Sequence, residues 1–394
     1  MPILNSIAKI NNEMKEWRRH LHSIPELSFN EFKTSEFISS KLKEWGIKHK
    51  TNIAKTGIVA QIKGNKGSSS KSIGLRADID ALPIQENNEF IYKSTHQGAS
   101  HKCGHDGHTT LLLGAAKHLS ENPDFDGTVN LIFQPAEEGG GGANEMIKDG
   151  LFKEFPMSQV FGMHNWPDIP KGKFSICSGP IMAAVNTIQI NIKGLGGHAA
   201  MPHQTIDPII VGSQIVSALQ TISSRTIDPI ETIVLSITQF HSGTTHNIIP
   251  DDVFLEGTLR TFSKKVEVLA IKRIREISTN IANTFLAKAD VSIFDGYPST
   301  VNHKNETNIA TETASEIVGS ENVDPNMKPI MGSEDFSFLL NASEGAYIWI
   351  GNGEVPENQP QGGCMLHNTH YDFNDDILSL GASYWVQLVT NILQ

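Results

Sequence analysis

From residue 57 onward, short apolar runs alternate with helical stripes, and the alternation is broken once and then resumed. The runs GIVAQIK (57–63), SIGLRAD (72–78), TVNLIFQ (128–134) and QVFGMH (159–164) read as strands, with helical patterns at 108–119 and 143–152 between them. Strands that alternate with helices demand an α/β layer architecture with a largely parallel sheet, because parallel neighbours need a crossover connection. From about residue 184 the order changes to strand (186–193), helix (207–222), strand (232–240), strand (253–262), helix (266–285), strand (289–294). That βαββαβ order is the ferredoxin-like split arrangement, a complete small α+β domain. After Pro298 the first pattern returns, with helices predicted near 303–318, 334–340 and 375–393 and a strand near 346–351. The expected organisation is one α/β domain, 1–180 and 297–394, interrupted by an inserted domain, 181–296. The first 45 residues read as helices, and the Lys-, Gly- and Ser-rich stretch 63–72 as a surface hairpin loop.

Composition narrows the partners. A chain of 394 residues suits two domains, and 39% hydrophobic with 19% charged residues is ordinary globular usage. Lys+Arg 32 against Asp+Glu 43 leaves a net charge of −11, which argues against a nucleic-acid binder. An acidic substrate would have to be met by a few local cations. Cys103, Cys177 and Cys364 are too few and too scattered for a disulfide framework. No apolar run approaches the roughly 20 residues a membrane span needs. The N-terminal segment carries charges where a secretory leader would be apolar. These features predict a cytoplasmic protein without a membrane partner.

Metal-ligating side chains are concentrated in four segments: HKCGHDGH (101–108), QPAEEGGGG (134–142), GMHNW (162–166) and LHNTHYD (366–372). The second and third fall where strands end, as does RADID (76–80). Ligands of open α/β sheets collect at the carboxyl ends of strands, so these segments are expected to share a site. A single glycine separates Cys103 from His105, so a tight turn can bring thiolate and imidazole onto one cation. Thiolate, imidazole and carboxylate together suit zinc, manganese, cobalt or nickel better than magnesium or calcium. Taken alone, each histidine is more often a surface or satisfied residue, and Cys103 a small buried hydrophobe. Glu137 and Glu138 are neighbours pointing in different directions, so one can ligate while the other faces a reactive water. Without the histidines, such a pair would be a solvated acidic turn. The four glycines 139–142 match no phosphate-cradling motif. In the inserted domain His198, Asn247 and Arg260 stand out as donors to an oxyanion or a carboxylate, although a loop histidine, a turn asparagine and an exposed arginine are the commoner readings.

In order along the chain, LHSIPELSFNEFKT (21–34), LRADIDALP (75–83), HKCGHDGHT (101–109), FQPAEEGGGGA (133–143), GMHNWP (162–167), GGHAAMPH (196–203), GSEDFSF (332–338) and LHNTHYDFND (366–375) resemble the M20 metallopeptidase family, amidohydrolase branch. That branch includes hippurate hydrolases, N-acyl-amino-acid amidohydrolases and plant indoleacetyl-amino-acid hydrolases. The resemblance covers nearly the whole chain. It implies a di-metal exopeptidase-like catalytic domain and an inserted lid that also dimerises. It also implies two divalent ions, Mn or Zn with Co or Ni as options, held by Cys103, His105, Glu138, His164 and His367, with Cys103 bridging. Glu137 would be the general base. His198, supplied by the partner subunit of a homodimer, would steady the oxyanion. Asn247 and Arg260 would contact substrate, and Asp78 and Asp80 would support the ligands from behind. Ser100 and Lys102 depart from the Met and Ala frequent in the branch, Asn186 from an Asp, and Thr369 from a Pro that would stiffen the loop of His367.

The implied activity is metal-dependent hydrolysis of the amide of an N-acyl-L-amino acid, a small-molecule substrate. Dipeptidase or N-acetyl-diaminopimelate deacetylase activity on the same machinery is the near alternative. A cysteine hydrolase built on Cys103 and His105, or a non-catalytic binding protein, is the remote one.

Overall fold

Four parallel strands carry the middle of the larger unit, in the spatial order Thr128–Gln134, Ser72–Asp78, Gln159–Pro167 and Glu344–Gly353. The computed structural model describes residues 3–354 and 365–394, so Cys364 lies outside the described residues. On one side the sheet continues antiparallel through Gly57–Lys63 to Lys48–Ile53. On the other it ends in the short strands Phe174–Ser175 and Val323–Asp324. The middle strands are apolar almost throughout because both faces are covered, which is why they read as continuous runs. Helix His105–Glu121 buries Leu111, Leu112, Leu113, Ala115, Ala116 and Leu119 in the same core cluster as the C-terminal helix Leu378–Ile392 and Met14 and Trp17 of helix Asn11–Ser23.

One expectation is overturned. The stretch 63–72 does not close a hairpin, because Thr128–Gln134 lies between Gly57–Lys63 and Ser72–Asp78 and pairs with both. Local sequence cannot reveal such an inserted strand, since the pairing partner is remote in the chain. The N-terminal stripe is also broken, at Ile10, into helices Asn5–Lys9 and Asn11–Ser23.

The second unit comprises Met182–Ser299 together with Pro329–Glu334. Its four-stranded antiparallel sheet runs Ile233–His241, Asp252–Thr261, Ala184–Lys193, Lys288–Asp295. That order is the ferredoxin-like one. Alternate residues Ile188, Ile190 and Ile192 face inward onto Val211, Ile215 and Leu219 of helix Pro208–Thr221 and onto Ala270 and Ile274 of helix Lys264–Thr284. The first of these helices starts where the sequence signals it: Asp207 caps Ile209 N–H at 2.9 Å and Pro208 takes the first turn. Segment 329–334 joins this unit by a backbone bond from Ala183 N to Gly332 O, 2.8 Å. No helix among the described residues is long and apolar enough to cross a membrane.

Candidate metal centre

Because Ser72–Asp78 stands between Thr128–Gln134 and Gln159–Pro167, the carboxyl ends of three strands converge. The first leads into Asp80, the second into the turn of Glu137 and Glu138, and the third carries His164. Helix His105–Glu121 begins beside them with His105 as its first residue and Cys103 in the preceding turn. Gly104 makes that turn possible. Its φ is +96°, and a Cβ there would lie 2.2 Å from Asn165 Oδ1, so no other residue fits. Ala136, just ahead of Glu137, and His367 take the same left-handed region at φ 53° and 67°. Backbone strain in side-chain-bearing residues collects at functional sites.

The ligand atoms of Cys103, Glu138 and His367 lie within 4.8 Å of one another, and so do those of His105, Glu137 and Glu138. Cys103 Sγ stands 3.4 Å from His164 Nε2. The side chains expected to ligate metal, and Glu137, thus come together from four separate segments. Each buried imidazole is oriented from behind. His105 directs Nδ1 to Asp80 O at 2.9 Å, and His164 directs Nδ1 to Asn165 O at 2.6 Å, which leaves both Nε2 atoms facing the cluster.

Two atoms test whether the cluster fits a cation. His105 Nε2 and Glu138 Oε1 are buried without a hydrogen-bond partner, and they stand 4.0 Å apart. Leaving a buried polar atom unsatisfied costs about 1–3 kcal/mol, so such atoms call for an occupant. The local field agrees. Burial lowers the His105 pKa, but Asp78, Asp80 and Glu138 more than reverse this and raise it to about 10. The Cys103 thiol is pushed well above its ordinary value by burial and by Glu138 and Glu137. A thiol so placed is a poor nucleophile by itself, whereas a divalent cation would ionise it. The donor set fits a transition-metal or zinc centre and disfavours a cysteine hydrolase.

Asp80 organises the base and the ligands together. Its carboxylate accepts from Glu137 N (3.0 Å), Glu138 N (3.0 Å) and Ser28 Oγ (2.8 Å), while facing His105 Nδ1 at 3.3 Å. Burial opposes its ionisation, yet these bonds and the His105 charge hold its pKa below the usual value. Glu31 acts one layer further out. It accepts from Ala136 N (2.9 Å), Phe29 N (3.0 Å) and Thr56 Oγ1 (2.5 Å), and burial lifts its pKa to about 7. His108, although close to the cluster, is engaged at both ring nitrogens: Nδ1 faces Asp78 Oδ1 and Nε2 faces Asn165 Oδ1, both at 2.6 Å, with Asn165 N 3.0 Å from Nε2.

Sequence reasoning missed the buried charges around this cup. Arg18, His22, Arg76, Lys102 and Asp106 are at most 1% exposed. For Arg18 and His22 a signal existed: they share a helical stripe with Met14, Trp17 and Leu21, so they had to point inward.

In the second unit His198 lies in a two-residue strand paired with Ile248–Ile249, next to Asn247. Ala199 N donates to Asn247 O at 3.1 Å, and Ala200 N donates to His198 Nδ1 at 3.0 Å. The second bond places the ring proton of neutral His198 on Nε2. Both side chains are exposed. Arg260 sits elsewhere, in strand Asp252–Thr261, with Nη1 bonded to Met331 O at 2.8 Å. Asn186 donates to Asp295 Oδ1 at 3.0 Å, with Glu267 Oε1 3.5 Å away, where an aspartate would have faced two carboxylates.

The model of Peptidase family M20/M25/M40 matches residues 74–391. The chain belongs to this family. It is 40% identical over 394 residues to hippurate hydrolase of Campylobacter jejuni, covering 100% of both chains. It is 41% identical over 347 residues to N-acetyl-L-cysteine deacetylase of Bacillus subtilis, covering 88% of this chain and 82% of that one. Among solved structures it resembles the Bacillus subtilis YXEP protein, described as a dinuclear metal binding peptidase from the M20 family. There the TM-score is 0.84 at 34% identity, covering 98% of this chain and 99% of that one. M20 membership makes the chain a hydrolase of amides.

Proposed function

We propose that the chain hydrolyses the amide bond of N-acyl-L-amino acids, releasing a carboxylic acid and a free amino acid, with two divalent ions held by Cys103, His105, Glu138, His164 and His367. The carrying observation is that the buried atoms His105 Nε2 and Glu138 Oε1 make no hydrogen bond, although Glu138 Oε1 faces His105 Nε2 at 4.0 Å and His367 Nε2 at 3.3 Å, in a chain alike end to end with a hippurate hydrolase. When bound, the ions acidify a water and polarise the scissile carbonyl. Glu137, 7% exposed and held by the bond from its own N–H to Asp80, takes the proton of that water and returns it to the leaving nitrogen. His198 donates from Nε2 to the developing oxyanion. It comes from the partner subunit of a homodimer formed through the domain 181–296, which acts as a lid. Asn247 and Arg260 hold the substrate, Arg260 by its carboxylate. The two free thiols among the described residues suit a reducing, cytoplasmic setting.

The test is a substrate panel on Mn²⁺- and Zn²⁺-reconstituted protein: hippurate, N-acetyl-amino acids, indoleacetyl-amino acids and free-amine dipeptides. Acyl-amino acids should be cleaved and chelation should stop the reaction. Preference for free-amine dipeptides would sink the substrate assignment. Inactivation by thiol alkylation with indifference to chelators would sink the metal assignment.

A further inference from the structure

The residue before Cys103 is a lysine with no exposed side-chain surface. Its Nζ donates to Glu86 Oε1 at 2.5 Å and to Tyr371 O at 2.8 Å, and its own carbonyl accepts from His367 N at 2.7 Å. Lys102 therefore grips the loop of His367 at both ends. Glu86 is anchored in turn, accepting from Ser94 N at 2.6 Å and Asn88 Nδ2 at 3.0 Å and facing His22 Nε2 at 3.1 Å. His22 Nδ1 reaches Asp106 Oδ2 at 2.7 Å, Arg18 Nε reaches the same oxygen at 3.0 Å, and Arg18 also binds Asp372. The chain of charges thus closes on the residue after Tyr371. It fastens the neighbours of Cys103, His105 and His367 into one ring.

His367 needs such fastening more than the other imidazoles do. Its side chain is 52% exposed against 0% for His105. Among the described residues no carboxylate or carbonyl holds its second ring nitrogen, unlike His105 and His164. Its Nε2 lies 3.3 Å from Glu138 Oε1, so its aim depends on the backbone that carries it. A residue that orients a ligand typically changes metal affinity about 10–100-fold when removed.

We propose that Lys102 is a positioning residue, its buried ammonium tying the His367 loop to the Cys103 turn and thereby setting the affinity of the cation held by Cys103, Glu138 and His367. This rests on the metal reading above.

The experiment is a calorimetric Mn²⁺ titration of metal-free wild type, Lys102→Met, Lys102→Met/Glu86→Gln and His367→Ala, with Tm measured on each metal-free protein. His367→Ala marks which binding event belongs to that ion. Lys102→Met should weaken that event about 10-fold or more while the other changes less than about 3-fold. The double variant removes the buried carboxylate's charge together with its partner, so its Tm should recover toward wild type while the affinity loss persists. Unchanged affinities in both lysine variants would overturn the proposal, as would loss of both events in step with Tm, or affinity that returns with Tm in the double variant. Wild type that takes up no divalent ion would overturn the metal reading and this one together, whereas two ions in wild type with an unmoved Lys102→Met would overturn this one alone.

Discussion

The two units hold their polar side chains in opposite ways. Around Cys103, charged and ligating groups other than His367 are buried and cross-bonded, so that Asp80 alone accepts from Glu137, Glu138 and Ser28. In the second unit His198 and Asn247 are exposed, on a two-residue strand and the loop beside it. A di-metal centre needs fixed geometry before substrate arrives, because misplaced ligands lose affinity at once. If His198 serves a transient oxyanion as proposed, it must admit substrate and release product, which exposure allows. Buried wiring costs desolvation that its ion pairs offset only when complete.

Four substitutions would break or sharpen that contrast. The largest effect is expected at Glu137. Glu137→Ala should lower kcat by about 10²–10⁴ or more while metal content, measured by elemental analysis, stays at wild type. Activity near wild type would remove its assignment as base. His198→Ala should lower kcat by about 10²–10³, as loss of one oxyanion donor does, with Tm almost unmoved because the side chain is exposed. A kcat within a few-fold of wild type would deny the second unit a part in the chemistry.

Asp80→Asn should instead act through the metals, weakening their affinity about 10–100-fold in a calorimetric titration, since an amide cannot accept at both oxygens. Binding equal to wild type would show that the buried wiring is incidental. The smallest effect is a pH dependence. Glu31 has its pKa raised from 4.5 to about 7, so the folded chain keeps that proton where the unfolded chain has lost it. Stability therefore falls as pH rises through that window, by about 3 kcal/mol at most for that shift. Denaturant titrations of metal-free wild type and Glu31→Gln should converge near pH 4.5 and separate toward pH 7, with the variant the more stable. Parallel curves would contradict the assignment.

Much of the fold was legible because it rests on local periodicity. The runs 57–63, 72–78 and 128–134 became strands with those bounds, and Asp207-Pro208 opened its helix as the capping rules require. The insertion of 128–134 between the other two, antiparallel to 57–63 and parallel to 72–78, was not legible, since pairing with a strand remote in the chain leaves no mark on either strand. The same holds at the site. Cys103-Gly104-His105 announces a turn, and Glu137-Glu138 an acidic strand end. Lys102 looked only like a departure from a family pattern, because its partners Glu86 and Tyr371 lie 16 and 269 residues away.

By itself, then, the order of residues determined which segments become strands and helices and which side chains have the chemistry to bind a cation. Those properties follow from hydrophobic period, turn chemistry and donor type, all local. Only the tertiary structure decided that His108 is engaged at both ring nitrogens while His105 keeps Nε2 unpartnered, and that Lys102 clasps the loop of His367. Burial and hydrogen-bond saturation depend on which distant segments meet, and that is set when the layers pack.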